Sequence, residues 1–221
     1  RDGRDIETIK LLLPPEAPTI TDKRGNTPLH VIMDCIRRRI EIIKLFITPK
    51  ALTAINDDGQ TPLHVALWNK RRISVEIIKP LITPEVLTMV DKDGKTPLHI
   101  ALRKKLGIGI INLLITPEVL TMVDKDEETP LHIAIRKRLS KEIINILATP
   151  EVLIVVNSQD ETTLYYALSE KHSLDIVKQL ITPEVLTMVD RERRTPLHIA
   201  LRKDLYPLQA AAEQSCGQPD G

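Results

Sequence analysis

Aromatic side chains are scarce in this chain of 221 residues, which contains one Trp, one Phe and three Tyr. A non-repetitive globular domain of this length would normally use more of them in its core. Length alone would allow one large domain or two small ones. The scarcity favours a core that is built from Leu, Ile and Val in repeated units.

Cysteine is almost absent as well, since only Cys35 and Cys216 occur, far apart in the sequence. Two such residues make neither a disulfide framework nor a zinc site. They favour a reducing compartment, so we predict a cytoplasmic location, with the nucleus as the alternative. No cofactor is expected.

The chain also lacks an excess of charge and a long apolar run. Lys plus Arg number 31 and Asp plus Glu number 30, so the net charge gives no indication of a nucleic-acid partner. No apolar run approaches the ~18–20 residues of a membrane span. The charged start, residues 1–5, is unlike a signal peptide. We therefore expect neither nucleic-acid binding nor membrane insertion.

One tetrapeptide, in contrast, recurs along the whole sequence. Thr-Pro-Leu-His occurs at 27–30, 61–64, 96–99, 129–132 and 195–198, with a degraded copy at 162–165. From one first Thr to the next the steps are 34, 35, 33, 33 and 33 residues. An active site needs one constellation and not six, so this period indicates repeats that pack on one another.

The tetrapeptide, usually followed by Ile-Ala or Val-Ala at a period near 33, resembles the signature of the ankyrin repeat over essentially the whole chain. The resemblance implies an all-α solenoid of helix-turn-helix repeats with short β-hairpin-like loops. It also implies a non-catalytic module that binds another protein through its concave face and hairpin tips. We predict a monomer.

The positions of the tetrapeptide divide the chain into repeats. We predict a single ankyrin-repeat array over 1–205, with a half repeat at 1–26, full repeats that start at 27, 61, 96, 129 and 162, and an incomplete repeat from 195. Residues 206–221 are predicted to be a degenerate cap and a disordered tail. The half repeat at the start leads us to expect a longer chain with at least one more repeat upstream.

The third repeat shows how each unit is encoded. Thr96 is a good N-cap, and Pro97 suits the first helical position. A second helix is predicted from Ile108, and Thr116-Pro117 would end it. The same Thr-Pro-Glu would then begin a short helical turn.

Hairpin tips follow that turn. Glycine supplies the positive φ of the first three tips, at Gly25, Gly59 and Gly94. Glu127, Asp160 and Arg193 replace it in the later tips. Those tips either hold a strained residue or adopt a different turn.

Histidine offers metal ligation or acid–base chemistry as one interpretation of the tetrapeptide. Successive copies lie one repeat apart, however, without a carboxylate or thiol at ligand spacing. The resemblance implies a structural role, with hydrogen bonds inside and between repeats, for Thr96, Pro97, His99, Thr129, Pro130 and His132. The sequence holds no phosphate loop, no Ser/His/Asp grouping and no metal motif, so we expect no enzyme.

Charge is sorted by repeat phase, with basic clusters where the first helices end and acidic residues at the hairpin tips. Stacking would place these in two lanes along opposite edges. The basic lane is either a solvated edge at helix C-termini or a surface that docks an acidic partner. Its candidate binding residues are Arg71, Arg72, Arg103, Lys104, Lys105, Arg136, Lys137 and Arg138.

Trp68 and Asn69 interrupt this basic pattern. An exposed Trp is a typical hot-spot residue, and the alternative for Trp68 is packing against the neighbouring first helix. The array is also similar to the inhibitors of NF-kappa-B, which mask Rel-type transcription factors. A targeting segment of a larger protein is a further alternative.

Overall fold

The computed structural model describes residues 2–11, 14, 16–35, 40–69 and 73–202, with side chains from residue 6 onward. The predictions for Arg71 and Arg72, and those for the end of the chain from residue 203, lie outside the described residues. The chain divides into two compact units, Arg1–Lys125 and Asp126–Gly221.

Short helices follow one another through the first unit. They are α1 (Asp2–Leu11), α2 (Pro28–Asp34), α3 (Ile40–Phe46), α4 (Pro49–Thr53), α5 (Pro62–Trp68), α6 (Val75–Ile78), α7 (Pro84–Thr88), α8 (Pro97–Arg103), α9 (Ile108–Leu114) and α10 (Pro117–Thr121), with 3-10 turns at Ala17–Thr19 and Lys79–Leu81.

The second unit repeats the same order. Its helices are α11 (Pro130–Arg136), α12 (Lys141–Leu147), α13 (Pro150–Leu153), α14 (Thr163–Ser169), α15 (Leu174–Leu180) and α16 (Pro183–Thr187), and residues 196–202 are helical. The described residues contain no strand and no helix long and apolar enough to cross a bilayer. The predicted all-α class of helix-turn-helix repeats is confirmed.

Equivalent helices of successive repeats pack together within each unit. In the first unit α2 contacts α5 and α5 contacts α8, and in the second unit α11 contacts α14. The Leu of the tetrapeptide lies inside this packing in five copies, where Leu29, Leu63, Leu98, Leu131 and Leu164 are fully or almost fully buried, whereas Leu197 of the last copy is 65% exposed. A helix of seven residues has little stability alone, so these helices depend on burial against their neighbours.

The short segment that follows the second helix of each repeat is also helical, as the Thr-Pro-Glu pattern predicts. Thr83, Thr116 and Thr182 each accept a hydrogen bond from the backbone N–H three residues later, at 3.2 Å, 3.3 Å and 3.2 Å. Proline occupies the next position in all three. The identical sequences at 83–91, 116–124 and 182–190 therefore fold alike in both units.

The later hairpin tips hold a strained residue. Glu127, Asp160 and Arg193 have φ values of 58°, 59° and 60°, close to the 71–73° of the glycines that they replace. Of the two alternatives that the sequence left open, the strained residue is therefore the correct one. The turn is kept, and a residue with a side chain adopts the left-handed backbone conformation at a cost of about 1–2 kcal/mol.

Candidate protein-binding face

The tetrapeptide fixes the start of each first helix. The Oγ1 of Thr61 lies 2.7 Å from Nδ1 of His64, and the backbone N–H of Thr61 donates to the same nitrogen at 3.3 Å. The far ring nitrogen of His64 lies 3.1 Å from the carbonyl oxygen of Lys95 in the next tip. Because a carbonyl only accepts, Nε2 carries a proton, and because Nδ1 accepts the backbone N–H of Thr61 it carries none, so that the ring is neutral.

The same arrangement recurs in both units. His30 reaches the carbonyl oxygen of Gln60 at 2.8 Å in the first unit, and His132 reaches that of Glu161 at 3.2 Å in the second. Tyr165, in the degraded copy, donates its hydroxyl to the carbonyl of Arg194. These side chains join consecutive repeats, and the ring nitrogens of the two histidines are engaged in hydrogen bonds.

Burial lowers the pKa of His30 and His64. A lowered folded pKa means that the unfolded chain binds more protons once the pH falls below its own value of about 6.5. This stability is complete above that pH and is lost progressively as the pH falls from there through the lower pKa of the folded state. We expect a lower Tm at pH ~5.5 than at pH ~7.5 by circular dichroism, and a flat Tm would contradict this.

Carboxylates do not obscure that measurement. The pKa of Asp22 lies below its ordinary value because the backbone N–H groups of Asn26 and Arg24 donate to its carboxylate. Its contribution is present above the unfolded carboxyl pKa of about 3.9 and is lost only at more acidic pH. The contribution of Asp22 therefore changes below the window between pH ~5.5 and ~7.5 in which the histidines are compared.

In five hairpin tips, an Asp or Asn at the first position of the tip holds the turn. The Oδ1 of Asp91 accepts the backbone N–H groups of Asp93 and Lys95, both at 2.9 Å. Asp22, Asn56, Asn157 and Asp190 bond in the same way. Sequence reasoning missed this role, although an Asp or Asn recurs there in every repeat and favours such turns.

Some arginines of the predicted basic lane form ion pairs with carboxylates of the same chain. In the first unit, Nη2 of Arg103 lies 2.6 Å from Oδ2 of Asp124, whose side chain is 1% exposed. In the second unit, Nε of Arg136 donates to Oε1 of the buried Glu128 at 2.8 Å. The expectation that basic and acidic residues occupy opposite edges is wrong for these pairs, because Asp124 and Glu128 each lie against the end of a first helix within their own unit.

The remaining basic candidates are more accessible. Lys105 and Arg138 are exposed, with φ values of 54° and 52°, and Lys137 is half-buried. The guanidinium of Arg138 donates to the carbonyl of Glu170 and lies 3.8 Å from its carboxylate. These left-handed residues end the first helices.

Trp68 lies half-buried at the end of α5. The ammonium of Lys104, from the next first helix, lies 4.1 Å from the ring centroid, a cation–π geometry. Beside it, Nδ2 of Asn69 donates to the carbonyl oxygen of Asp34 at 2.6 Å. The two irregular residues thus join three consecutive first helices of the first unit, and Trp68 as a whole residue has intermediate exposure although its Nε1 is buried.

Comparison with known proteins identifies the repeat. A family model described as ankyrin repeats in three copies matches residues 1–86 and 72–160. The crystal structure of the ankyrin repeat domain of Bcl-3, described as a unique member of the IkappaB protein family, is similar at a TM-score of 0.68 and 20% identity, over 89% of this chain and 86% of that one. No curated protein matches the sequence.

Proposed function

Because the chain belongs to the ankyrin-repeat family, we propose that it is a non-catalytic module that binds another protein through its hairpin tips and the open face of its first helices. The helix caps and the inter-repeat histidine bonds support this proposal. They order the surface before a partner arrives, so that little conformational entropy is lost on binding.

The half-buried Trp68 is the observation that carries the proposal. Its indole is large, it is oriented by Lys104, and it stands on the first-helix face beside Asn69. Trp is the residue type most enriched among interface hot spots, where its truncation costs about 2 kcal/mol or more. Packing within the repeat and contact with a partner are compatible roles for such a ring.

The basic lane indicates the chemistry of the partner less directly than Trp68 indicates the binding face. Arg103 and Arg136 neutralise buried carboxylates, so an acidic partner would depend chiefly on Lys104, Lys105, Lys137 and Arg138. Masking of a Rel-type factor is supported only by a fold likeness at 20% identity. That role, a targeting role in a larger protein, a monomeric state and a cytoplasmic or nuclear location stay predictions.

A photo-crosslinking experiment tests the binding face. The light-activated residue p-benzoylphenylalanine replaces Trp68 in one variant and Asn112, exposed on the second helix α9, in a matched control. We expect one protein to crosslink at position 68 and not at 112, and Trp68→Ala to weaken binding of that purified protein at least ~30-fold. Equal crosslinking at both positions would contradict the proposal.

A further inference from the structure

A groove opens between the first two hairpin tips and the helices α2 and α5, all within the first unit. It has a volume of about 630 Å³. Val31 and Val65 supply its apolar part, and Val31 is 48% exposed. The described residues that line it contribute four carboxylates, those of Asp22, Asp34, Asp57 and Asp58.

These carboxylates are poorly compensated. Among the described residues that line the groove, Arg24 is the only Lys or Arg, so that four negative charges there face one positive charge, an excess of three. Asp34 accepts a hydrogen bond from Nδ2 of Asn69 at 3.2 Å, a neutral donor that leaves its charge in place. Asp57 and Asp58 are exposed, and no described Lys or Arg pairs with either.

The layout of the groove selects among cations. No three of its carboxylates, all described, bring their oxygens within 4.8 Å of one another, as a shared metal ion would require. An apolar floor with separated carboxylates instead suits Lys and Arg side chains. Their aliphatic stems pack on apolar surface, and their charged ends form hydrogen-bonded pairs with carboxylates.

We propose that this groove docks a basic segment of the partner protein, with Lys or Arg stems on Val31 and Val65 and their cations on Asp34, Asp57 and Asp58. The proposal rests on the protein-binding function and gives that partner its chemistry. It differs from the acidic partner that the basic clusters indicate, because Arg103 and Arg136 of those clusters pair with carboxylates of the same chain, whereas no described Lys or Arg pairs with Asp34, Asp57 or Asp58.

Binding of short labelled peptides to the full chain, measured by fluorescence anisotropy, tests the assignment. One peptide alternates Arg and Gly, and the other alternates Glu and Gly. We expect the Arg peptide to bind, more weakly at ~0.5 M salt than at ~0.05 M because added ions screen exposed charges. The triple variant Asp34→Asn, Asp57→Asn, Asp58→Asn should bind it at least ~10-fold more weakly. Asp22 is left unchanged because it holds the first tip.

A second triple variant controls for net charge. Glu118→Gln, Glu151→Gln and Asp175→Asn remove the same charge at exposed positions outside the groove, and they should leave the affinity unchanged. Asp34→Lys alone makes the same test if the triple groove variant does not fold. Equal weakening by both triple variants, failure of the Arg peptide to bind, or tighter binding of the Glu peptide would overturn the assignment. If position 68 still crosslinks a partner, the binding function survives and only this groove assignment fails.

Discussion

Replacing His64 with Ala is expected to lower the free energy of unfolding by about 3 kcal/mol. The side chain is fully buried, so its removal leaves a cavity. It also leaves the carbonyl of Lys95 and the polar groups of Thr61 without their ring partner. Buried polar groups that lose a partner bear a desolvation cost of about 1–3 kcal/mol each.

His198 provides a matched control within the same tetrapeptide. It makes the same local contacts, with its Nδ1 3.2 Å from the backbone nitrogen of Thr195 and 2.8 Å from the hydroxyl, but it is exposed. His198→Ala should therefore cost less than about 1 kcal/mol. Urea unfolding followed by circular dichroism measures both variants. Equal losses would show that burial and the inter-repeat bond contribute nothing beyond the cap.

A conservative variant separates the bond from the volume. Tyr165 shows that a phenol in this position can donate to the carbonyl of the next tip. His64→Tyr should for that reason retain more stability than His64→Ala. The ranking His above Tyr above Ala is the expected result, whereas a Tyr variant no better than Ala would mean that the site does not accept the larger ring.

The helical part of the fold could be predicted because its signals are local. Thr at the N-cap, Pro at the next position and Glu in the first turn act within one helical turn of each other, so their effect needs no tertiary information. The repeat period then indicates which helices pack together, and the contacts of α2 with α5 and of α5 with α8 follow that order.

The electrostatic details of the candidate face could not be predicted in the same way. Arg103 and Asp124 are separated by 21 residues, and their pairing depends on how Asp124 lies against the end of a first helix. Likewise, Asp34 belongs to a helix and Asp57 to a tip, and only stacking brings them to one groove. When charges are sorted by their position within the repeat, Asp34 counts as a helix residue and Asp57 as a tip residue. The sequence therefore gives no indication that the two lie on one acidic surface.

Rigidity at the tips comes from a ladder of backbone hydrogen bonds between consecutive repeats. In the first unit, Asp57, Lys92 and Lys125 each donate to a carbonyl of the preceding tip at 2.9 Å. In the second unit the bonds from Ser158 and Arg191 lengthen to 3.5 Å and 3.4 Å. For the short bonds, the left-handed position of the preceding tip, next to the accepting carbonyl, is a glycine. For the long bonds, that position is Glu127 or Asp160.

Gly59→Ala is accordingly expected to destabilise the chain by about 2 kcal/mol. A Cβ at this position would lie 2.9 Å from the backbone nitrogen of Lys92, so the next tip must move away and its bond to the carbonyl of Asp58 must weaken. The alanine would also carry the strain of a φ near 72°. The two effects act together because they arise from the same added atom.

The reverse change, Asp160→Gly, should stabilise the chain by about 0.5–1 kcal/mol, since relief of strain exceeds the entropy that glycine gains on unfolding. Gly109→Ala is the control: it lies inside α9, its added Cβ would meet only Val75 at an ordinary 3.7 Å, and alanine should stabilise that helix by a similar amount. All three values come from urea unfolding. A stabilising Gly59→Ala would show that the tip yields freely, and a tip that yields freely could not present a preformed surface to a partner.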